Sequence, residues 1–240
     1  MIDRHLDIPT KDGLMNTFIT HPEEDGPHPL VVFLMDAPGK REELHDMARR
    51  LGSAGYYVML PNLYYRRLRE FDVASATREI MFEHMDSLTN ATVCEDIQVL
   101  IDFADQEIAA RGGKMGCVGY CMSGPFAFAA AAAFPERMAA SASFHGVRLL
   151  LGSDDSPHLD AVQIKGEVYF GCAETDEYAP QSMIDALDQH LSSVAANYRI
   201  EWYPETHHGF VFPNRGAAYH KAAAERHWAR LFALFQRNLH

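Results

Sequence analysis

The ten residues Gly116-Cys117-Val118-Gly119-Tyr120-Cys121-Met122-Ser123-Gly124-Pro125 constrain this chain more than any other stretch. They read as a short apolar strand, a turn too tight for large neighbours, and the start of an alanine-rich helix running from Phe126 to Phe134. A strand–turn–helix of this kind holds its apex residue, here Cys121, in a strained backbone conformation above a sheet. It also sets that residue at the positive end of a helix dipole. Gly119 and Ser123 are the small residues two positions to either side, in the spacing of a G-x-S-x-G turn with cysteine where serine usually stands. Cys94, Cys117 and Cys172 read as small buried hydrophobes. The same reading competes for Cys121, and the downstream residues decide between the two.

An order of strands and helices follows along the chain. Residues 1–20 alternate weakly around Lys11-Asp12-Gly13, the pattern of an antiparallel hairpin at a sheet edge. Leu30 to Met35 is a continuous apolar run, as a strand buried on both faces requires. Leu44, Met47, Ala48 and Leu51 then fall on one helical face, closed by Gly55, and Tyr56 to Leu60 is the next strand. Strand, helix, strand in this order means a parallel sheet. A long helix is expected from Thr89 to Ala110, with Ile108 on its apolar stripe and Gly112-Gly113 ending it. Further strands are expected at 138–144, 168–172 and 198–203. A helix beginning at Pro180 and a final helix carrying Trp228, Leu231, Phe232 and Phe235 complete the pattern.

Residues 62–88 break this rhythm. Tyr64-Tyr65-Arg66-Arg67-Leu68-Arg69 is an aromatic and basic cluster followed by a helix around 77–85. It reads either as a solvated surface segment or as a lid or substrate wall, with Tyr64 and the arginines facing a ligand.

No composition shift or linker divides the chain, so 1–240 is read as one α/β domain. The formal net charge of −12 argues against nucleic acid or an anionic membrane as partner, since both demand a basic surface. No apolar run approaches the ~18 residues of a membrane span, and Met1-Ile2-Asp3-Arg4-His5 lacks the apolar core of a secretory signal. A cytoplasmic location is expected, and the four cysteines show neither a disulfide framework nor zinc-type spacing. The thirteen histidines are scattered and include no H-E-x-x-H, so neither a metal nor an organic cofactor is expected.

In an open parallel sheet, functional side chains collect beyond the carboxyl ends of the strands. Asp36, Cys121, Asp176 and His208 occupy four such ends, and the last three follow the order nucleophile, acid, histidine. A thiol needs an imidazole to take its proton, and the imidazole needs a carboxylate on its other nitrogen. Glu174 and Glu177 stand beside Asp176, and His207 beside His208, as alternatives. The oxyanion of an acyl-transfer intermediate needs preorganised donors. The N–H of Met122 and that of Ala37 are the candidates, while Pro38 has none to offer.

With these residues in place, the chain resembles the dienelactone hydrolase family of α/β-hydrolases over nearly its whole length. The resemblance rests on Gly119-Tyr120-Cys121-Met122-Ser123-Gly124, Asp176 with Pro180, His208 before Gly209-Phe210, and Leu60-Pro61-Asn62-Leu63-Tyr64. It implies a single, mostly parallel eight-stranded sheet with helices on both faces. It also implies Cys121 as nucleophile, His208 as general base and then acid, and Asp176 as the orienting carboxylate. The substrate it implies is a small ester or lactone, and the assembly a monomer or small homo-oligomer.

Three departures bear on substrate. Asp36 stands where family members that open dienelactone have a glutamate associated with thiol activation, and it is one methylene shorter. Of the family's two carboxylate-clamping arginines, one matches Arg78, while the other position, four residues after the histidine, holds Phe212. A tyrosine near the first arginine is replaced by Phe82. Losing a bidentate arginine weakens carboxylate recognition, so a less anionic, more apolar substrate is expected. Two rival readings are a non-catalytic ligand-binding protein on the same fold and a thiol redox protein using Cys117 or Cys172 as partner.

Overall fold

The sheet is built outward from a strand that offers no polar face. In the computed structural model, which describes residues 1–72 and 76–240, every residue of β3 (His28–Leu34) is buried. Such a strand must have neighbours on both sides and layers above and below. Its neighbours are β4 (Tyr57–Pro61) and β5 (Ala110–Tyr120), both parallel to it. Beyond β5 come β6 (Met138–Phe144), β7 (Glu167–Thr175) and β8 (Tyr198–His207), again parallel. The hairpin β1 (Ile2–Thr10) and β2 (Gly13–His21) adds the antiparallel edge, giving the order β1-β2-β4-β3-β5-β6-β7-β8.

Helices cover both faces, and two glycines of β5 mark how closely. A Cβ at Gly116 would lie 2.8 Å from the Phe235 ring and 3.2 Å from Leu239 on α6 (Lys221–Leu239). Three residues on, and therefore on the opposite face, a Cβ at Gly119 would meet Ala127 at 3.1 Å. Ala127 belongs to α4 (Gly124–Ala133), a helix buried from Gly124 to Ala132 because it is sandwiched between the sheet and its neighbours. On the α6 side, α1 (Glu42–Gly52) is tied in by Arg50, which pairs with Glu225 and lies over Trp228. On the α4 side packs α3 (Asn90–Ala104). The remaining helices are α2 (Arg78–Asp86) and α5 (Gln181–Ser193).

The long helix expected through Ala110 stops earlier. Its stripe of Val93, Ile97, Leu100, Ile101 and Ala104 is complete at Ala104, and Asp105 caps it. Ile108 continued the spacing only by coincidence and is 96% exposed. Gly112 and Gly113 lie inside β5, where Gly113 takes a φ of +98°. The last strand runs on to His207, farther than the alternation through Tyr203 indicated.

Candidate active site

The carboxyl ends of β3, β5, β7 and β8 meet at one cavity of about 400 Å³. Cys121 and His208 line it, together with Ala37, Pro38, Arg78, Met81, Phe82, Met85, Val147, Arg148, Tyr178 and Arg215. Cys121 sits at φ +54°, a left-handed backbone that a non-glycine residue adopts at a cost of about 1–3 kcal/mol. The neighbours that allow this are Gly119, whose Cβ would fall 2.0 Å from the Ser123 carbonyl oxygen, and Gly124, whose Cβ would fall 2.4 Å from Ser143 Oγ. Ser123, read from the sequence only as a small flank, has a second task. Its Oγ donates 2.5 Å to the carbonyl of Met35 and ties the apex of the turn to the end of β3.

His208 and Asp176 come together as expected. Asp176 Oδ2 accepts from His208 Nδ1 at 2.8 Å, and Oδ1 accepts the N–H groups of Tyr178 and Ala179 at 2.9 and 3.3 Å. Cys121 lines the same cavity as His208, and its sulfur acts on the charge of the imidazole. Burial works against a charged imidazole here. The hydrogen bonds to Asp176 and Cys121 outweigh it and raise His208 from 6.5 to about 10. The arrangement therefore favours an imidazolium between a carboxylate and a sulfur, the state from which a thiol can attack. The sequence alternatives lie elsewhere: His207 is exposed, Glu174 is exposed and accepts from Glu205 N–H, and Glu177 is exposed.

Backbone donors for a developing oxyanion are available. Ala37 lies in the turn after β3 that Gly39 N–H closes onto the Asp36 carbonyl at 2.9 Å. Met122 opens the helical turn after Cys121. Among the described residues, the Ala37 N–H has no acceptor within the protein.

Asp36 is wholly buried, and two arginines hold it. Arg41 reaches it at 2.5 and 3.4 Å, and Arg215 at 2.5 Å. Among the described residues it makes no hydrogen bond to Cys121. Arg41 is shared with Glu43. Arg78 and Phe82, both on α2, line the cavity as expected; the Arg78 guanidinium donates to Tyr178 Oη at 2.6 Å and lies 5.3 Å from the Phe82 ring.

Two residues expected to touch substrate do not reach the cavity. Phe212 is fully buried, tilted against Tyr120 and edge-on to His145, with the guanidiniums of Arg41 and Arg215 over its ring at 5.2 and 5.4 Å. After His208 the chain turns at Gly209, φ +84°, and the apolar triplet Phe210-Val211-Phe212 goes into the core. The chain then returns through Pro213-Asn214, and Arg215 brings to the cavity the charge that position 212 lacks. Tyr64 is also buried, its hydroxyl turned to Ala37 and Met122. Its basic neighbours serve the fold, not a lid: Arg66 pairs with Asp96 and Asp12, Arg69 with Asp7, and Arg67 with Glu83. None of these three arginines lines the cavity.

Sequence reasoning missed Arg215, Arg148, Tyr178 and His145. Tyr178, two residues past Asp176, lies edge-on to His208 at 5.0 Å. His145, at the end of β6, lies edge-on to it at 4.9 Å. Burial, and then the nearby His208 and Arg215, hold His145 well below 6.5, so it is neutral against the charged histidine. The one available signal was the polar pair His145-Gly146 at the end of an apolar strand. Burial pushes the thiols of Cys94, Cys117 and Cys172 up, which disfavours their thiolate forms. Among the described residues no three His, Cys, Asp or Glu side chains are grouped to hold a metal ion.

Comparison with known proteins places the chain in one family. Residues 15–239 match the sequence model of the Dienelactone hydrolase family. The "Putative carboxymethylenebutenolidase" of Synechocystis sp. is 24% identical over 237 residues, which cover 97% of this chain and 95% of the relative. The protein of the same name from Escherichia coli (strain K12) is 28% identical over 239 residues, 95% of this chain and 84% of the relative. The crystal structure of a "Putative Dienelactone Hydrolase" from Klebsiella pneumoniae superposes with a TM-score of 0.89 at 26% identity, covering 98% of each chain.

Proposed function

The chain belongs to the dienelactone hydrolase family, and on that premise we propose that it hydrolyses a small carboxylic ester or lactone with Cys121 as nucleophile. The observation that carries this reading is the line Asp176–His208–Cys121 at the wall of a cavity that Ala37 also lines. In the proposed cycle the Cys121 thiolate attacks the acyl carbon, and the carbonyl oxygen takes the charge opposite the N–H groups of Ala37 and Met122. The His208 imidazolium protonates the departing alkoxide, leaving a thioester on Cys121 and a neutral imidazole. That imidazole takes a proton from water, the hydroxide adds to the thioester, and collapse releases the acid and restores the thiolate–imidazolium pair. Asp176 holds His208 in the tautomer that keeps Nε2 toward the sulfur.

The lining of the cavity supports a more anionic substrate than the sequence suggests. Met81, Phe82, Met85 and Val147 form an apolar wall, while Arg78, Arg148 and Arg215 add charge in a chain whose formal net charge is −12. Arg148 is offset by its ion pair with Asp86, whereas Arg215 shares the single carboxylate of Asp36 with Arg41. Arg78 meets the cavity through a neutral partner, the Tyr178 hydroxyl. We therefore assign the site an ester or lactone with an apolar body and one anionic group directed at Arg78 and Arg215.

The test is turnover of a panel holding an aryl acetate, a neutral lactone and a dienelactone by wild type and Cys121→Ala. The reading predicts activity that the substitution abolishes, with preference for the anionic lactone. Equal turnover by both proteins would remove Cys121 from the mechanism. Preference for the neutral substrates would return the substrate to the less anionic class.

A further inference from the structure

We propose that Tyr64 is a positioning residue for the oxyanion hole, its buried hydroxyl fixing the Ala37 segment against the Met122 segment. The inference deepens the reading of Cys121 as a nucleophile and rests on it.

One phenol oxygen touches both halves of the hole. Tyr64 Oη donates to the Ala37 carbonyl at 2.9 Å and lies 3.2 Å from Met122 Sδ. A tyrosine hydroxyl has a single proton, which goes to the carbonyl, the far stronger acceptor; the thioether packs against the oxygen from the side of Cys121. The hydroxyl is thus wedged between the loop after β3 and the helical turn after β5, the two segments whose N–H groups must converge on one oxygen atom.

Tyr64 completes a pattern in which each carbonyl of the Met35–Ala37 loop is held by a different group. Met35 is held by Ser123 Oγ at 2.5 Å, Asp36 by Gly39 N–H at 2.9 Å, and Ala37 by Tyr64. With these peptide planes fixed, the Ala37 N–H is left over, on a residue that lines the cavity. The hydroxyl itself is held from behind. The Tyr64 N–H donates to Asn62 Oδ1 at 3.0 Å, and Asn62 Nδ2 donates to the carbonyls of Leu68 and Arg69. The Tyr64 ring rests on Phe71 and His84. Burial pushes the phenol's pKa well up, so the proton that holds Ala37 is retained at any working pH.

The experiment is Tyr64→Phe, which keeps the ring and removes the contact. Loss of one oxyanion donor costs about 100-fold or more in kcat, and loosening a donor's position costs less; we expect kcat to fall roughly tenfold with KM within about twofold. Affinity for a small aldehyde, which forms a hemithioacetal with Cys121 and uses the same donors, should fall by a similar factor. The rate at which iodoacetamide alkylates Cys121 needs no oxyanion hole and should not change. Wild-type kcat and aldehyde affinity in Tyr64→Phe would overturn the proposal. A fall in alkylation rate and thermal midpoint together with a raised KM would overturn it too, by reducing Tyr64 to a packing role. Cys121→Ala run in parallel separates the two readings: if it keeps wild-type turnover, the nucleophile assignment fails first.

Discussion

Replacing Asp176 by asparagine probes the element that sets the charge state of the site. His208 stands at about 10, against 6.5 for an ordinary imidazole, although burial pulls it down. Two neighbours hold it up, and the hydrogen bond to Asp176 is the larger raising influence, with Cys121 the other. Removing the carboxylate while keeping the side-chain volume should forfeit at least half of the rise, roughly 2 pH units or about 2–3 kcal/mol. The sign follows from the direction of the shift. His208 carries its proton below about 10 and loses it as the pH rises through that value, so the alkaline limb of kcat/KM should start near pH 10 in wild type. In Asp176→Asn it should start near about 8. Asparagine can also present its N–H₂ to Nδ1 and so favour the wrong tautomer, which adds a pH-independent loss of about 100-fold or more. The assay is kcat/KM against pH for an alkyl ester, whose poor leaving group needs the imidazolium, beside an aryl ester, which needs it less. An alkaline limb that stays put in Asp176→Asn, with wild-type rates on the plateau, would refute the reasoning. The same linkage applies to stability: the contribution of charged His208 is complete below about 6.5 and is lost as the pH rises through about 10.

Arg215→Ala should raise KM for an anionic lactone by roughly tenfold or more through loss of a charge-assisted contact, and leave a neutral aryl acetate within about twofold; steady-state kinetics on the pair checks this. Asp36→Asn strips the carboxylate from between Arg41 and Arg215. Breaking a buried ion pair from one side costs about 3–5 kcal/mol, and because Arg215 can turn to solvent the lower end is expected, read as a fall in the urea midpoint. Gly119→Ala drives a Cβ to within 2.0 Å of the Ser123 carbonyl. Backbone cannot yield as a flexible side chain does, so this variant should lose more stability than Asp36→Asn, measured in the same denaturation experiment.

The features that could be read from the chain alone are those with a strict local code. Leu30 to Met35 is apolar at every position, and only a strand buried on both faces fits that pattern. The turn at Cys121 needs small residues at fixed spacing, and Gly119 and Gly124 show the contacts that enforce it. The order of Cys121, Asp176 and His208 at strand ends followed from topology alone. What escaped was decided by where the chain goes between such points. Position 212 was judged by its distance in sequence from His208, yet the turn at Gly209 sends Phe212 inward and lets Arg215 face the cavity. Tyr64 and its arginines look like a ligand wall in sequence because their partners, Asp7, Asp12 and Asp96, are distant along the chain. Ile108 kept the spacing of a helix that had already ended at Ala104. Pairings of this kind belong to the folded chain and leave no local trace.

The central claim is that turnover passes through a thioester on Cys121. The most direct measurement is mass spectrometry of the protein quenched in acid during steady-state hydrolysis of an aryl acetate, followed by mapping of the peptide that carries the acyl group. The account predicts one acetyl group, on the peptide containing Cys121 and released by hydroxylamine, and none in Cys121→Ala. Acylation of another residue, or continued turnover by Cys121→Ala with no acyl group trapped, would contradict it.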